Sequence, residues 1–135
     1  MVTVSPKNGK YNLPSIHGVY TLFNAEKGMP LAQINATKLT AQRTAAASAL
    51  ASSFLSKKNS KTLFLVGTGA LAPELIRAHI SVRPIETVYV WGRNLKKAKV
   101  VSDQITKHTK NNNLKIFPIK LIINTHMMAS NHLAL

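Results

Sequence analysis

Thr62-Leu-Phe-Leu-Val-Gly-Thr-Gly-Ala-Leu-Ala72 is the stretch on which the fold turns. Thr62 to Val66 is a continuous apolar run of the kind found in a strand covered on both faces. Gly67-Thr-Gly-Ala-Leu-Ala72 follows without a gap and fits G-x-G-x-x-G/A, the pattern of a turn joining a parallel strand to a dinucleotide-binding helix. Without a Cβ, Gly67 permits the tight turn and Gly69 lets backbone N–H groups approach a pyrophosphate. Beyond the turn, Leu71, Leu75, Ile76 and Ala78 have helical spacing from Ala70 to about His79, with Pro73 tolerated because it falls in the first turn. The start of that helix would offer unpaired donors and partial positive charge to phosphate groups. The competing reading is an ordinary turn between a strand and a helix. A P-loop is excluded, since no Gly-Lys-Ser/Thr follows.

Working outward, Arg83-Pro84 ends this helix and Glu86-Thr-Val-Tyr-Val-Trp91 reads as a second strand. Gly92-Arg-Asn94 is its terminal turn, and Lys96 to about Lys107 is a second helix. The order strand, glycine turn, helix, strand is one βαβ unit, and it places the chain in the α/β class with a partial Rossmann-like nucleotide-binding unit. The tip of the second strand bears on the choice of nucleotide. An acid there accepts the ribose 2′-hydroxyl of NAD, whereas basic and amide groups favour the extra phosphate of NADP. The tip reads Trp91-Gly-Arg-Asn-Leu-Lys-Lys97, with no carboxylate, so NADP(H) is favoured over NAD. Arg93 and Asn94 are the first candidates for contact and Lys97 a possible helper; the alternative for Arg93 is a solvated turn residue.

Upstream, Gly18-Val-Tyr-Thr-Leu-Phe23 and Pro30-Leu-Ala-Gln-Ile34 are short β-prone runs joined by Asn24-Ala-Glu-Lys-Gly28, which supplies turn residues. A hairpin is expected. Thr40 then precedes the Ala-rich segment Ala41 to Leu55, and its hydroxyl is placed to cap a helix over about 41–56. In that reading Arg43 falls in the first turn, where a cation opposes the macrodipole by ~0.3 to 1 kcal/mol unless an anion binds beside it. A guanidinium fork there suits a carboxylate, although a surface arginine packing its stem is the commoner fate. Lys57 to Lys61 is a polar linker. Downstream, 109–113 is a loop, and Leu114 to Ile123 could form a third strand interrupted by Pro118. From Asn124 onward no period is evident.

The 135 residues suffice for one compact domain, and a 45% hydrophobic content argues against disorder. Lys+Arg 18 against Asp+Glu 4 gives a net charge of +14. The basic residues are spread along the chain without an aromatic-basic motif, so nucleic-acid binding is disfavoured. With no cysteine, disulfides and thiolate chemistry are excluded. No run approaches a membrane span and the N-terminus lacks signal-peptide order, so a cytoplasmic location is expected. Four acids, Glu26, Glu74, Glu86 and Asp103, are the whole supply of carboxylate bases. His17 could face a ligand, while His79, His108, His126 and His132 have no metal-site spacing, and no metal is expected.

Leu39-Thr-Ala-Gln-Arg-Thr-Ala-Ala-Ala-Ser-Ala-Leu50, followed by Gly67-Thr-Gly-Ala70 and Val90-Trp-Gly-Arg-Asn94, resembles the ornithine cyclodeaminase/μ-crystallin family over about residues 1–107. Leu13-Pro-Ser-Ile-His-Gly18 and Ala70 to His79 look nearest to its Δ1-pyrroline-2-carboxylate reductase branch. The resemblance implies a remnant of a substrate and dimerisation domain at 1–37, and a connecting Ala-rich helix and linker at 38–60. It implies a partial NAD(P)-binding unit at 61–107, followed by an aberrant tail at 108–135 holding at most a third strand before disorder. It further implies that Arg43 holds a substrate carboxylate and that Ser15 lies near cofactor or substrate. Gly67, Thr68, Gly69, Ala70 and Leu71 would form the phosphate turn, and Arg93, Asn94 and Lys97 would meet the adenosine end.

The implied reaction is hydride transfer from NAD(P)H to the C=N carbon of a cyclic imino acid. Alternatives are an ornithine cyclodeaminase fragment, converting ornithine to proline and ammonia, or a non-catalytic nucleotide-binding module. Full-length relatives are expected to be homodimers of about 300 residues or more. By the family pattern, a substrate lysine would precede Met1 and a catalytic aspartate would lie well past the second strand of the nucleotide unit; Asp103, in the helix directly after that strand, is at the wrong place, and no acid follows it. No catalytic residue is therefore assigned, and the expectation is an inactive fragment.

Overall fold

A computed structural model describes residues 1–108 and 113–120. Two three-stranded sheets are connected by one long helix. The first sheet is antiparallel, with strands β1 (Val2–Val4), β2 (Ile16–Phe23) and β3 (Pro30–Asn35) in that spatial order. The expected hairpin is β2–β3, aligned Tyr20 to Ile34 and Thr21 to Gln33. Its turn is set by Asn24, whose Oδ1 accepts the N–H groups of Glu26 and Lys27 at 2.9 and 2.8 Å, with Gly28 at φ 66°. Strand β1 and the 3-10 helix Pro6–Tyr11 between β1 and β2 were not anticipated; three and six residues are too short to carry a usable period.

Helix α1 spans Ala36–Leu55. It begins earlier than expected, because Asn35 and not Thr40 is the N-cap: its Oδ1 accepts the Thr37 and Lys38 N–H groups at 2.9 and 3.5 Å. Arg43 consequently lies two turns inside the helix, and the argument from macrodipole repulsion in a first turn does not apply to it. Ala45 and Ala49 are buried, one turn apart, and α1 packs most extensively on α2 (Ala72–Val82).

The second sheet is parallel, ordered β4 (Thr62–Val66), β5 (Thr87–Trp91), β6 (Lys115–Ile119), with α2 joining β4 to β5 and α3 (Leu95–His108) joining β5 to β6. Successive right-handed crossovers that step in one direction place both helices on one face. The core lies there, where Ile76 and Ile105 from the helices meet Val88 and Val90, with Leu63, Leu65 and Ile116 packed around them. The opposite face is open among the described residues. Phe64 is 50% and Val66 63% exposed, so β4 is covered on one face and not on the two that its apolar run suggested. Phe64, Tyr89 and Phe117 stand in register across that open face, the last two stacked with centroids 5.6 Å apart.

Pro118 does not interrupt the third strand. Lys115 donates its N–H inward to Glu86 O at 2.9 Å, so the strand period puts the nitrogens of 117 and 119 on the same side and that of Pro118 on the outer side. The proline therefore takes no hydrogen bond from the ladder. Residues 121–123 of the expected strand, 109–112 of the expected loop, and His126, His132 and the stretch 124–135 lie outside the described residues.

Candidate functional site at the glycine turn

Both β4 and β5 end at the same edge of the sheet, and the turn between β4 and α2 is fastened there. Gly67 donates its N–H to Trp91 O at 2.8 Å and takes φ 122°, a conformation that side-chain-bearing residues avoid. Gly92 is buried against Thr68, and a Cβ at Gly92 would come within 2.6 Å of the Thr68 methyl. At Gly69 an added Cβ would meet nothing within 4 Å, so close packing inside this chain does not explain that glycine. No side chain caps α2, and the turn closes by Ala72 N–H donating to Gly69 O at 3.0 Å. Its first-turn donors are left for a ligand or water.

Above this edge is a cavity of about 450 Å³, bounded by Thr68, Gly69 and Ala70 from the turn, Pro73 and Glu74 from α2, and Lys97, Val100, Val101 and Gln104 from α3. Its size is that of a small-molecule site. It brings Lys97 together with the glycine turn, as expected from the sequence. The α3 wall is a stripe at spacings of three and four (97, 100, 101, 104), a helical signal present in the sequence; Glu74, one of the four acids of the chain, was not expected at this cavity. Glu74 is the one carboxylate lining this cavity, and Arg77 neutralises it at 2.8 Å.

The remaining candidates are more scattered. Arg93 and Asn94 follow Gly92 at the tip of β5, both exposed, without lining the cavity. Asn94 Oδ1 accepts the Lys96 N–H at 2.9 Å, so its oxygen caps α3 and only its amide NH2 remains to reach a ligand. Ser15 is exposed just before β2, and its carbonyl accepts Ser5 N–H at 2.7 Å. Arg43 is exposed, with no hydrogen bond or ion pair to another described residue. At about 100° per residue its Cα–Cβ bond points roughly 160° away from that of the buried Ala45. Met1, Thr3, His17, Gly18, Val19, Asn35 and Thr37 bound a smaller cavity of about 270 Å³ at the start of α1. Among the described residues no group of three His, Cys, Asp or Glu is placed to hold a metal, and no helix is long and apolar enough to cross a membrane.

The sequence profile of the ornithine cyclodeaminase/mu-crystallin family matches residues 1–115, which includes the whole glycine turn and the beginning of β6. The chain belongs to that family. The match runs past residue 107, where the resemblance read from motifs alone had stopped, and ends at the first residue of β6. Within the family, the chain is 48% identical over 103 residues to a Δ1-pyrroline-2-carboxylate reductase of Colwellia psychrerythraea, covering 75% of this chain and 33% of that one. Among solved structures it is similar to Thermococcus litoralis Δ1-pyrroline-2-carboxylate reductase in complex with NADH and L-proline, with TM-score 0.76 and 33% identity, over 90% of this chain and 36% of that one. A lysine cyclodeaminase that recognises L-lysine, L-ornithine and L-2,4-diaminobutyric acid gives TM-score 0.67 and 31% identity, over 83% and 32% respectively. The chain spans about a third of the length of each.

Proposed function

We propose that this chain carries the dinucleotide turn and one substrate arginine of an NAD(P)H-dependent reductase acting on cyclic imino acids of the Δ1-pyrroline-2-carboxylate type. The observation that carries the reading is the cavity itself: Thr68, Gly69, Ala70 and Lys97 line one cavity at the C-terminal edge of a parallel sheet, the place where such sheets bind nucleotides. The residues fit the cofactor. Gly67 holds the turn, Gly69 leaves room for a phosphate, and the uncapped start of α2 offers donors. When bound, the nicotinamide would supply the hydride. The chain's own task is to hold the diphosphate at residues 67–71 and to place cations near the adenosine end.

NADPH is the proposed form, because Arg93, Lys96, Lys97 and Lys99 surround the start of α3 and its first turn has no acid. Arg43 is proposed to grip the substrate carboxylate, supported by its free guanidinium. For proton transfer the supply is poor. Glu86 pairs with Lys61 at 2.7 Å, Asp103 is exposed on α3, Glu26 sits in the hairpin turn, and Glu74 is paired with Arg77. Residues 1–135 are therefore proposed to bind nucleotide without sustaining turnover.

Titration of the protein with NADPH and NADH, followed through the fluorescence of Trp91 or by calorimetry, tests this reading. Tighter binding of NADPH is expected, and Lys97→Met should weaken NADPH more than NADH, by roughly fivefold for one exposed phosphate contact. Failure to bind either nucleotide would overturn the assignment, and an NADH preference would overturn the roles of Arg93 and Lys97. Steady reduction of pyrroline-2-carboxylate at ~1 per second or faster would refute the view that proton transfer is lacking.

A further inference from the structure

We propose that Arg83 is a positioning residue: it fixes the rotation of α1 on α2 and so sets where Arg43 stands relative to the glycine turn. The first observation is the density of its contacts. From the C-cap of α2, Arg83 Nη2 donates to the carbonyls of Ser52, Ser53 and Ser56 at 2.9, 2.7 and 3.0 Å. Its Nε donates to Ser56 Oγ at 2.9 Å, and its Nη1 to Val82 O at 2.7 Å. Ser56 Oγ in turn donates to Ser52 O at 2.8 Å. One side chain, about thirty residues away in sequence, thus gathers three carbonyls at the end of α1, which has no basic residue of its own in the last turn. A half-buried cation at a helix C-terminus also complements the macrodipole.

The second observation is what else holds the two helices together. The buried face of α1 consists of Ala45 and Ala49, whose side chains end at Cβ and interlock with little. The covalent link, residues 57–61, is mostly exposed and polar. Small smooth contacts and a solvated linker specify closeness without specifying angle. The planar guanidinium, held at several points, supplies the angle.

Lever arms give the consequence its size. Pinned at their C-terminal ends and packed along their lengths, α1 and α2 run in the same direction, so Arg43 and the glycine turn lie toward the same end. Arg43 is 9 to 13 residues from the latch, about 14 to 20 Å along α1. A rotation of ~10° at Arg83 would carry it roughly 3 Å, enough to take an anion-gripping group out of reach. The positional claim stands on geometry alone; only what Arg43 would grip rests on the function proposed above.

The chain has no cysteine, so a spin-label pair can be placed cleanly at Thr44→Cys on α1 and Asp103→Cys on α3, both exposed. With Arg83 present, electron–electron resonance should give one narrow distance distribution. With Arg83→Met, which keeps the stem and removes the fork, the distribution should at least double in width while the Trp91 emission and the exchange protection of β5 and α3 remain native. Arg83→Lys keeps the charge but cannot bridge the carbonyls, and should broaden it similarly; it serves as the test if the methionine variant does not fold. A distribution as narrow as the parent's in the folded variant would overturn the proposal, assigning Arg83 to stability only. NADPH affinity, being local to residues 67–97, should change less than twofold, whereas the affinity for pyrrole-2-carboxylate, a planar carboxylate probe titrated with NADPH present, should fall at least fivefold. If the parent binds no nucleotide, the proposed function fails while the distance measurement still decides the role of Arg83.

Discussion

Ile76, Val88, Val90 and Ile105 in the parallel unit are almost wholly removed from water, whereas in β1, β2 and β3 no residue is buried and only Gly18 and Thr21 are half-buried. Both sheets have three strands with comparable apolar content. The difference is the cover. Parallel strands need crossover helices, and those helices bring the material that shields the sheet, so the fold of β4 to β6 carries its own core. A hairpin closes with a few turn residues and gains no cover from its connection. Leu22, Leu31 and Ile34 accordingly stay in contact with solvent, and the first sheet leans on α1.

This contrast makes stability predictions that differ by region. Ile105→Ala should lower the unfolding free energy by about 2 to 5 kcal/mol in a urea titration followed by circular dichroism, since the side chain is fully buried between α3 and the sheet. Leu31→Ala, at an exposed site of the first sheet, should stay within ~0.5 kcal/mol of the parent. Equal losses at the two sites would remove the distinction. A smaller effect is expected at the junction of turn and strand, where Gly92→Ala meets the Thr68 methyl and should destabilise by roughly 1 to 3 kcal/mol. Pairing it with Thr68→Ser deletes that methyl and should recover most of the loss; a double variant as weak as the single one would place the strain elsewhere. Asn35→Ala should cost about 1 kcal/mol by removing the cap of α1, read as reduced helicity on heating. The same change at Thr40, now known to lie inside the helix, should have little effect.

The parallel unit was readable in advance because each of its parts speaks locally. An apolar run, two glycines and a helical stripe are contiguous from Thr62 to Val82, and the structure confirms their order. The start of α1 was misread because Asn35-Ala-Thr-Lys-Leu-Thr40 contains three residues of capping type within six positions, and the alanine run drew the boundary to the nearest one. What decides between them is that β3 ends at Asn35, a pairing fact that no single segment carries. The cavity was half visible. Its glycine turn is a motif, but the α3 wall and the touch of Gly92 on Thr68 depend on how two crossovers stack. Arg83 was taken only as the end of a helix, since its partners lie about thirty residues upstream and nothing in Arg83-Pro84 names them.

Pro118 decides on which margin the parallel sheet can be extended. With its ring nitrogen turned outward, β6 presents an edge lacking a donor where an incoming strand would need one, and zipper-like growth from that side is blunted. At the other margin β4 has no proline and keeps its outward N–H and C=O groups. Any strand joining this sheet, from the same polypeptide or another, should therefore dock beside Thr62–Val66, next to the mouth of the cavity, which makes lateral assembly directional.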